Sequence, residues 1–227
     1  MSAPDITRQS LRIPVAGVVL DADVGVPESP RGAVLFAHGS GSGRRSPRNR
    51  YVADVLSRAG VVTVLADLLT AEEERIDMQT GTLRFDIGLL AERVTTLTDW
   101  VAHDESFAGL GIGLFGASTG AAAALIAAAN RPAVVQAVVS RGGRPDLAGP
   151  RLHEVRQPTL LIVGGRDALV LELTREAMRK LGGTVRLAVV PDATHLFEEP
   201  GALEQVARLA RDWFLQHLRP VPHDGDD

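Results

Sequence analysis

The sequence predicts an α/β domain: a mostly parallel, twisted sheet with helices on both faces. Three observations lead there. From residue 33 onward, short continuous apolar runs alternate with segments of helical periodicity, as in parallel sheets built through crossover helices. The 227 residues, 45% hydrophobic and 23% charged, suffice for one domain with a substantial core. Third, the apolar run Ile112–Phe115 leads into Gly116-Ala117-Ser118-Thr119-Gly120, and the alanines 121–124 follow at once. That order reads as a buried strand that turns sharply at Ser118 and continues as a helix.

The elements follow in order. Residues 9–24 are β-branched and apolar, broken at Pro14 and Gly17, and predict two short strands. Ala33–Ala37 is a strand covered on both faces. After His38-Gly39-Ser40-Gly41-Ser42-Gly43, Ser46 and Pro47 fit a helix cap and first helical position, and Tyr51, Val52, Val55 and Leu56 make its apolar face. Val61–Ala66 is a strand ending at Asp67. Residues 68–84 are long for a connection: Glu72–Glu74 suggest a short helix and Gln79–Thr82 a loop. Leu90, Val94, Leu97 and Val101 space a helix over 86–103. Strands over 134–140, 159–163 and 185–190, a helix over 169–181 and a final amphipathic helix carrying Val206, Leu209, Trp213 and Leu218 complete a single domain over 1–219. The polar tail 220–227 is expected to be disordered.

Composition narrows the function. A net charge of −4 carries no nucleic-acid footprint, and no apolar run is long enough to cross a bilayer. With no cysteine there is neither a thiol nucleophile nor a thiolate metal site, and Lys180 is the only lysine. Met1–Asp5 lack a signal-peptide pattern, so a soluble, cytoplasmic protein acting on a small molecule is expected, without cofactor, metal, membrane or nucleic-acid partner. The oligomeric state is not legible.

In parallel α/β sheets, sites lie at the carboxyl ends of the strands. Ser118, Arg141, Asp167, His195 and the loop from His38 to Ser42 all fall there. A serine is a weak nucleophile unless a base takes its proton; histidine is the usual base, and a carboxylate orients it. Ser118 is read as nucleophile, His195 as base and Asp167 as orienting acid, with Asp192 the alternative acid and Glu198 and Glu199 near enough to compete. Acyl transfer also needs donors for an oxyanion. Thr119 offers one backbone N–H, and Ser40, with Gly41 second, offers the other. His38 is expected to brace that loop rather than act as a base. Gly41, Arg44 and Arg141 are candidate substrate contacts, because Arg44, Arg45, Arg48 and Arg50 flank the loop and open a helix, where an anion is welcome.

The segments His38-Gly39-Ser40-Gly41-Ser42, Gly116-Ala117-Ser118-Thr119-Gly120, Gly165-Arg166-Asp167 and Thr194-His195 resemble, in order and spacing, those of the α/β-hydrolases of the dienelactone-hydrolase-like group, over residues 30–218. The resemblance implies an α/β-hydrolase fold and a serine hydrolase cleaving an ester, a lactone or a similar small acyl substrate through an acyl-enzyme. The family's name-giving enzymes use cysteine; this chain has serine. Residues 141–158 are too few for a large lid domain. Two other classes compete: a non-catalytic binding protein of the same fold, and a nucleotide-binding domain. Against the latter, the fingerprint G-x-G-x-x-G fails at Arg44.

Overall fold

The computed structural model describes residues 5–221. Eight strands form one sheet: β1 (Ile6–Val15), β2 (Val18–Pro27), β3 (Gly32–Ala37), β4 (Val61–Ala66), β5 (Ile112–Ala117), β6 (Val135–Arg141), β7 (Thr159–Gly164) and β8 (Val185–Val190). Their spatial order is β1-β2-β4-β3-β5-β6-β7-β8. The two opening strands are longer than the sequence suggests. They form an antiparallel hairpin of ten residues each, turning at Ala16 and Gly17, and β2 meets β4 antiparallel. Every later pairing is parallel.

The described residues form six α-helices, of which all but α2 pack on the sheet: α1 (Pro47–Arg58), α2 (Ala71–Thr80), α3 (Ile87–His103), α4 (Thr119–Asn130), α5 (Ala168–Met178) and α6 (Ala202–His217). On one face α3 and α4 pack against β3, β4 and β5. On the other, Val52 and Leu56 of α1 and Val206 and Phe214 of α6 pack against Val34, Phe36 and Phe115. The unbroken apolar runs follow from this double cover: β3, β4, β5 and β7 are buried throughout, whereas the edge strand β8 is partly exposed. Alanines 121–124 are fully buried, and their short side chains let α4 lie close to the sheet.

The hard-to-read segment 68–84 is mostly α2. A capping box starts it, with Glu73 N–H donating to Thr70 Oγ1 and Thr70 N–H to Glu73, and Gly81 ends it in a left-handed conformation. The expected loop at Gln79 and Thr80 is therefore the last turn of a helix. The connection from β6 to β7 holds only short 3₁₀ turns over Pro145–Glu154, packed on α4, and no lid domain. Of the tail, Val221 donates its N–H to Gly109 O at 2.9 Å, while 222–227 lie outside the described residues.

Candidate active site

Ser118 sits between β5 and α4 with φ 50° and ψ −121°, a left-handed backbone that a residue with a Cβ adopts at a cost of about 1–3 kcal/mol. The turn is held from β6: Ser118 N–H donates to Arg141 O at 3.3 Å, and Arg144 N–H donates to Ser118 O at 3.0 Å. Glycine is required on both sides. A Cβ on Gly116 would collide with the α4 backbone at Ala121, and one on Gly120 with the carbonyl oxygens of Ala37 and His38. The first N–H groups of α4, Thr119 N–H among them, have no partner within the helix.

Asp167 follows β7 and His195 follows β8. Neighbouring parallel strands set the two turns side by side, and Arg166 N–H donating to Ala193 O at 2.9 Å ties one to the other. His195 Nδ1 donates to Asp167 Oδ2 at 2.6 Å. With the carboxylate ionised, Nδ1 holds the proton and Nε2 is left to accept one. The competing carboxylates are engaged elsewhere. Asp192 meets Arg166 at the surface at 3.4 Å, Glu198 pairs with Arg48 at 3.3 Å, and Glu199 accepts Thr194 N–H at 3.1 Å.

The loop after β3 is braced at both ends. His38 is buried; its Nε2 accepts Leu68 N–H at 2.8 Å and its Nδ1 donates to Gly39 O at 3.0 Å, the pattern of a neutral ring. Burial holds its pKa below the usual histidine range, against the pull of the Gly39 carbonyl and of Asp67 and Glu74. The Ser40 N–H, expected to be an oxyanion donor, instead donates to Thr119 Oγ1 at 3.0 Å. Gly41, at φ 67°, lines a cavity of about 210 Å³ with Ser40, Leu69, Met78, Arg84 and Leu90.

The arginines divide. Arg44 was expected as a substrate contact, but its charge is already met: its guanidinium pairs with Asp67, and Asp21 and Asp23 lie at 3.4 and 3.6 Å. Those carboxylates raise its pKa against the opposing effect of its own burial. The hairpin supplies Asp21 and Asp23 across the sheet edge, a proximity no local motif announces. Arg50 pairs with Asp23 at 2.9 Å. Arg141 differs. It is only 7% exposed, its one side-chain hydrogen bond runs to Asn49 Oδ1 at 3.3 Å, and its Nε has no partner among the described residues. It lies over the Phe197 ring at 6.0 Å. Burial and the nearby charge of Arg48 pull its pKa down to about 10, which leaves it charged at neutral pH.

Sequence reasoning did not single out Leu69, Met78 and Arg84 as cavity walls. Arg84 is steered there by Asp77, whose carboxylate takes its Nε at 2.5 Å and its N–H at 3.0 Å. The one local signal was the Thr70-x-x-Glu73 capping box, which marks a helix where a loop was expected.

A doubly covered parallel sheet with a strained serine elbow and an Asp–His pair at its carboxyl edge is an α/β-hydrolase fold. The model of the dienelactone hydrolase family matches residues 20–218, and the chain belongs to that family. A dienelactone hydrolase structure from Anabaena variabilis is 55% identical, with a TM-score of 0.92 over 94% of this chain and 99% of that one. Est1E from Butyrivibrio proteoclasticus shares the fold at 16% identity and a TM-score of 0.76, over 91% of this chain and 98% of its own. A Mycobacterium tuberculosis protein named "Putative phosphoribosyl transferase" is 56% identical over 95% of this chain. The chain spans about half the length of such curated relatives, 48% of that one. Among the described residues no helix is long and apolar enough to cross a membrane.

Proposed function

We propose that the protein is a serine hydrolase of small acyl substrates, esters or lactones, with Ser118 as nucleophile, His195 as base and Asp167 as its orienting acid. The observation that carries this reading is the 2.6 Å bond from His195 to Asp167, made while Asp192, Glu198 and Glu199 are engaged elsewhere. Ser118 Oγ bonds to the carbonyl carbon, its proton passes to His195 Nε2, and the carbonyl electron pair moves onto oxygen. Thr119 N–H receives that oxyanion. Collapse expels the alcohol, which takes the proton from His195, and water then releases the acid by the same steps. The imidazolium formed on the way is stabilised by Asp167.

A panel of p-nitrophenyl esters tests the reading, with Ser118→Ala beside the wild type. The variant should lose roughly 10³- to 10⁶-fold in turnover with its fold intact. Retained turnover in a folded Ser118→Ala would remove the nucleophile assignment, and failure of the wild type to label with a fluorophosphonate would favour a non-catalytic binding protein.

The transferase name of the mycobacterial relatives suggests a second reading, and we assign it to the part of those longer proteins that this chain does not match. A phosphoribosyl-transfer assay on this chain alone should then show no product; product formation would reverse that assignment.

A further inference from the structure

Thr119 follows Ser118 directly, so their Cα atoms are about 3.8 Å apart. Its side chain is buried at the start of α4, and Thr119 as a whole is 3% exposed. A hydroxyl offers one hydrogen and two acceptor positions. The Ser40 N–H fills an acceptor position at 3.0 Å; among the described residues no hydrogen bond uses the hydrogen. A buried donor without an acceptor is costly in a resting protein, and such a group at a reacting centre points to a role in the reaction.

The loop cannot drift away from this contact. A Cβ on Gly39 would lie 2.9 Å from Ser118 Cβ, so the loop runs against the nucleophile itself. His38, bonded to Leu68 N–H and Gly39 O, fixes the loop from its other side. An N–H held by the Thr119 hydroxyl is not available, at the same time and in full, to a substrate oxygen. The hydroxyl that holds it is polarised by it, and hydrogen bonds in such a chain strengthen one another.

We propose that the Thr119 hydroxyl is itself an oxyanion donor, accepting the Ser40 N–H and turning its own O–H to the substrate oxygen as that oxygen becomes negative. The inference rests on the serine-hydrolase reading above. Thr119 then gives two hydrogen bonds to one oxygen, from its backbone N–H and its side chain, and loses no proton; the only proton transferred in the attack goes from Ser118 Oγ to His195 Nε2. Ser40 acts through Thr119 and is a positioning residue.

Thr119→Val keeps the shape and removes the hydroxyl, Thr119→Ala removes it with less bulk, and Thr119→Ser restores it. With p-nitrophenyl acetate, the valine and alanine variants should lose about 10²- to 10³-fold in kcat, the range for one oxyanion donor, with KM little changed. The serine variant should stay within about fivefold of the wild type. Inhibition by a trifluoromethyl ketone, whose adduct places an alkoxide in the same position, should weaken in parallel with kcat/KM for the valine and alanine variants. Valine or alanine variants with wild-type kcat, or a serine variant as impaired as valine, would overturn the proposal. So would unfolding of both hydroxyl-free variants with serine intact, since the hydroxyl would then serve stability. A wild type that neither turns over esters nor labels at Ser118 sinks the hydrolase reading, and this one with it.

Discussion

At the scale of single residues, the Asp167–His195 bond separates two carboxylates the sequence left in competition. Asp167 is mostly buried, with its side chain 14% exposed, whereas Asp192 is 82% exposed in a surface pair with Arg166. Exposed pairs of that kind contribute about 0–1 kcal/mol, so Asp192 has little to lose. Asp167→Asn should cut ester turnover by about 10⁴-fold, because an amide oxygen and NH₂ favour the wrong imidazole tautomer. Its stability should change by no more than the roughly 1–2 kcal/mol of a lost helix cap, since the Asp167 side chain makes no hydrogen bond to the first turn of α5. Steady-state kinetics beside a thermal melt separate the two effects. If Asp192→Asn is the crippling change instead, the orienting acid has been misassigned.

At the scale of elements, the loop between β3 and α1 is held by a histidine that must stay neutral. Protonated His38 would present an N–H to the Leu68 N–H at 2.8 Å, two donors facing each other. Because burial lowers its native pKa, the unfolded chain binds the proton more readily than the folded one. The contribution is therefore present above the unfolded value of about 6.5 and is lost as the pH falls below it, with a slope of up to about 1.4 kcal/mol per pH unit. Urea unfolding at several pH values between neutral and mildly acidic should show this slope in the wild type and a flatter one in His38→Asn. Equal slopes would mean that His38 does not titrate on unfolding in this window. A second element, α2, has only Asp77 buried and is fastened by ion pairs: Glu73 to Arg93 at 2.5 Å and Asp77 to Arg84 at 2.5 Å. It forms a polar rim beside the Gly41 cavity and leaves Met78 and Ile76 facing solvent.

At the scale of the whole molecule, the sheet gathers the carboxyl ends of β3, β5, β6, β7 and β8 along one edge, with Ser118 near the middle and no lid domain above it. No lid domain encloses Ser118, and the cavity of about 210 Å³ beside the loop after β3 is lined by neither Ser118 nor His195. Short acyl chains should be favoured, since further methylenes stay in water and forgo the roughly 0.8 kcal/mol each that burial gives. kcat/KM for acetate, butyrate and octanoate esters measures this, and a clear preference for octanoate would reverse it. The charged groups refine the expectation for an acidic ester. Arg44 and Arg50 are taken by carboxylates and Arg48 pairs with Glu198, which leaves Arg45, exposed, and Arg141, buried; we expect the substrate anion at Arg141. Buried contacts are screened far less than exposed ones, for which the screening length is about 10 Å at 0.1 M salt. A carboxylate-bearing ester should therefore be preferred with little dependence on salt, whereas a steep loss with salt would place the contact at surface arginines.

Much of this was legible in the chain itself. Period and punctuation gave the α/β order, because a strand buried on both faces must be continuously apolar and a helix on a sheet must be periodic. Ser118, Asp167 and His195 were legible as candidates because each falls where a parallel strand ends, and the structure brings Asp167 and His195 into contact. What local sequence could not decide were the contacts between elements distant in the chain. Whether Arg44 is free depended on a hairpin that carries Asp21 and Asp23 to it; whether Ser40 N–H is free depended on a side chain 79 positions away. Segment 68–84 was ambiguous because α2 buries almost no apolar face, so it shows little of the periodicity that marks a helix. The chain determined its own backbone order and which groups are candidates for reaction. Only tertiary packing decided which of those groups are already satisfied, since a hydrogen bond or an ion pair depends on distance in space and not on spacing in sequence.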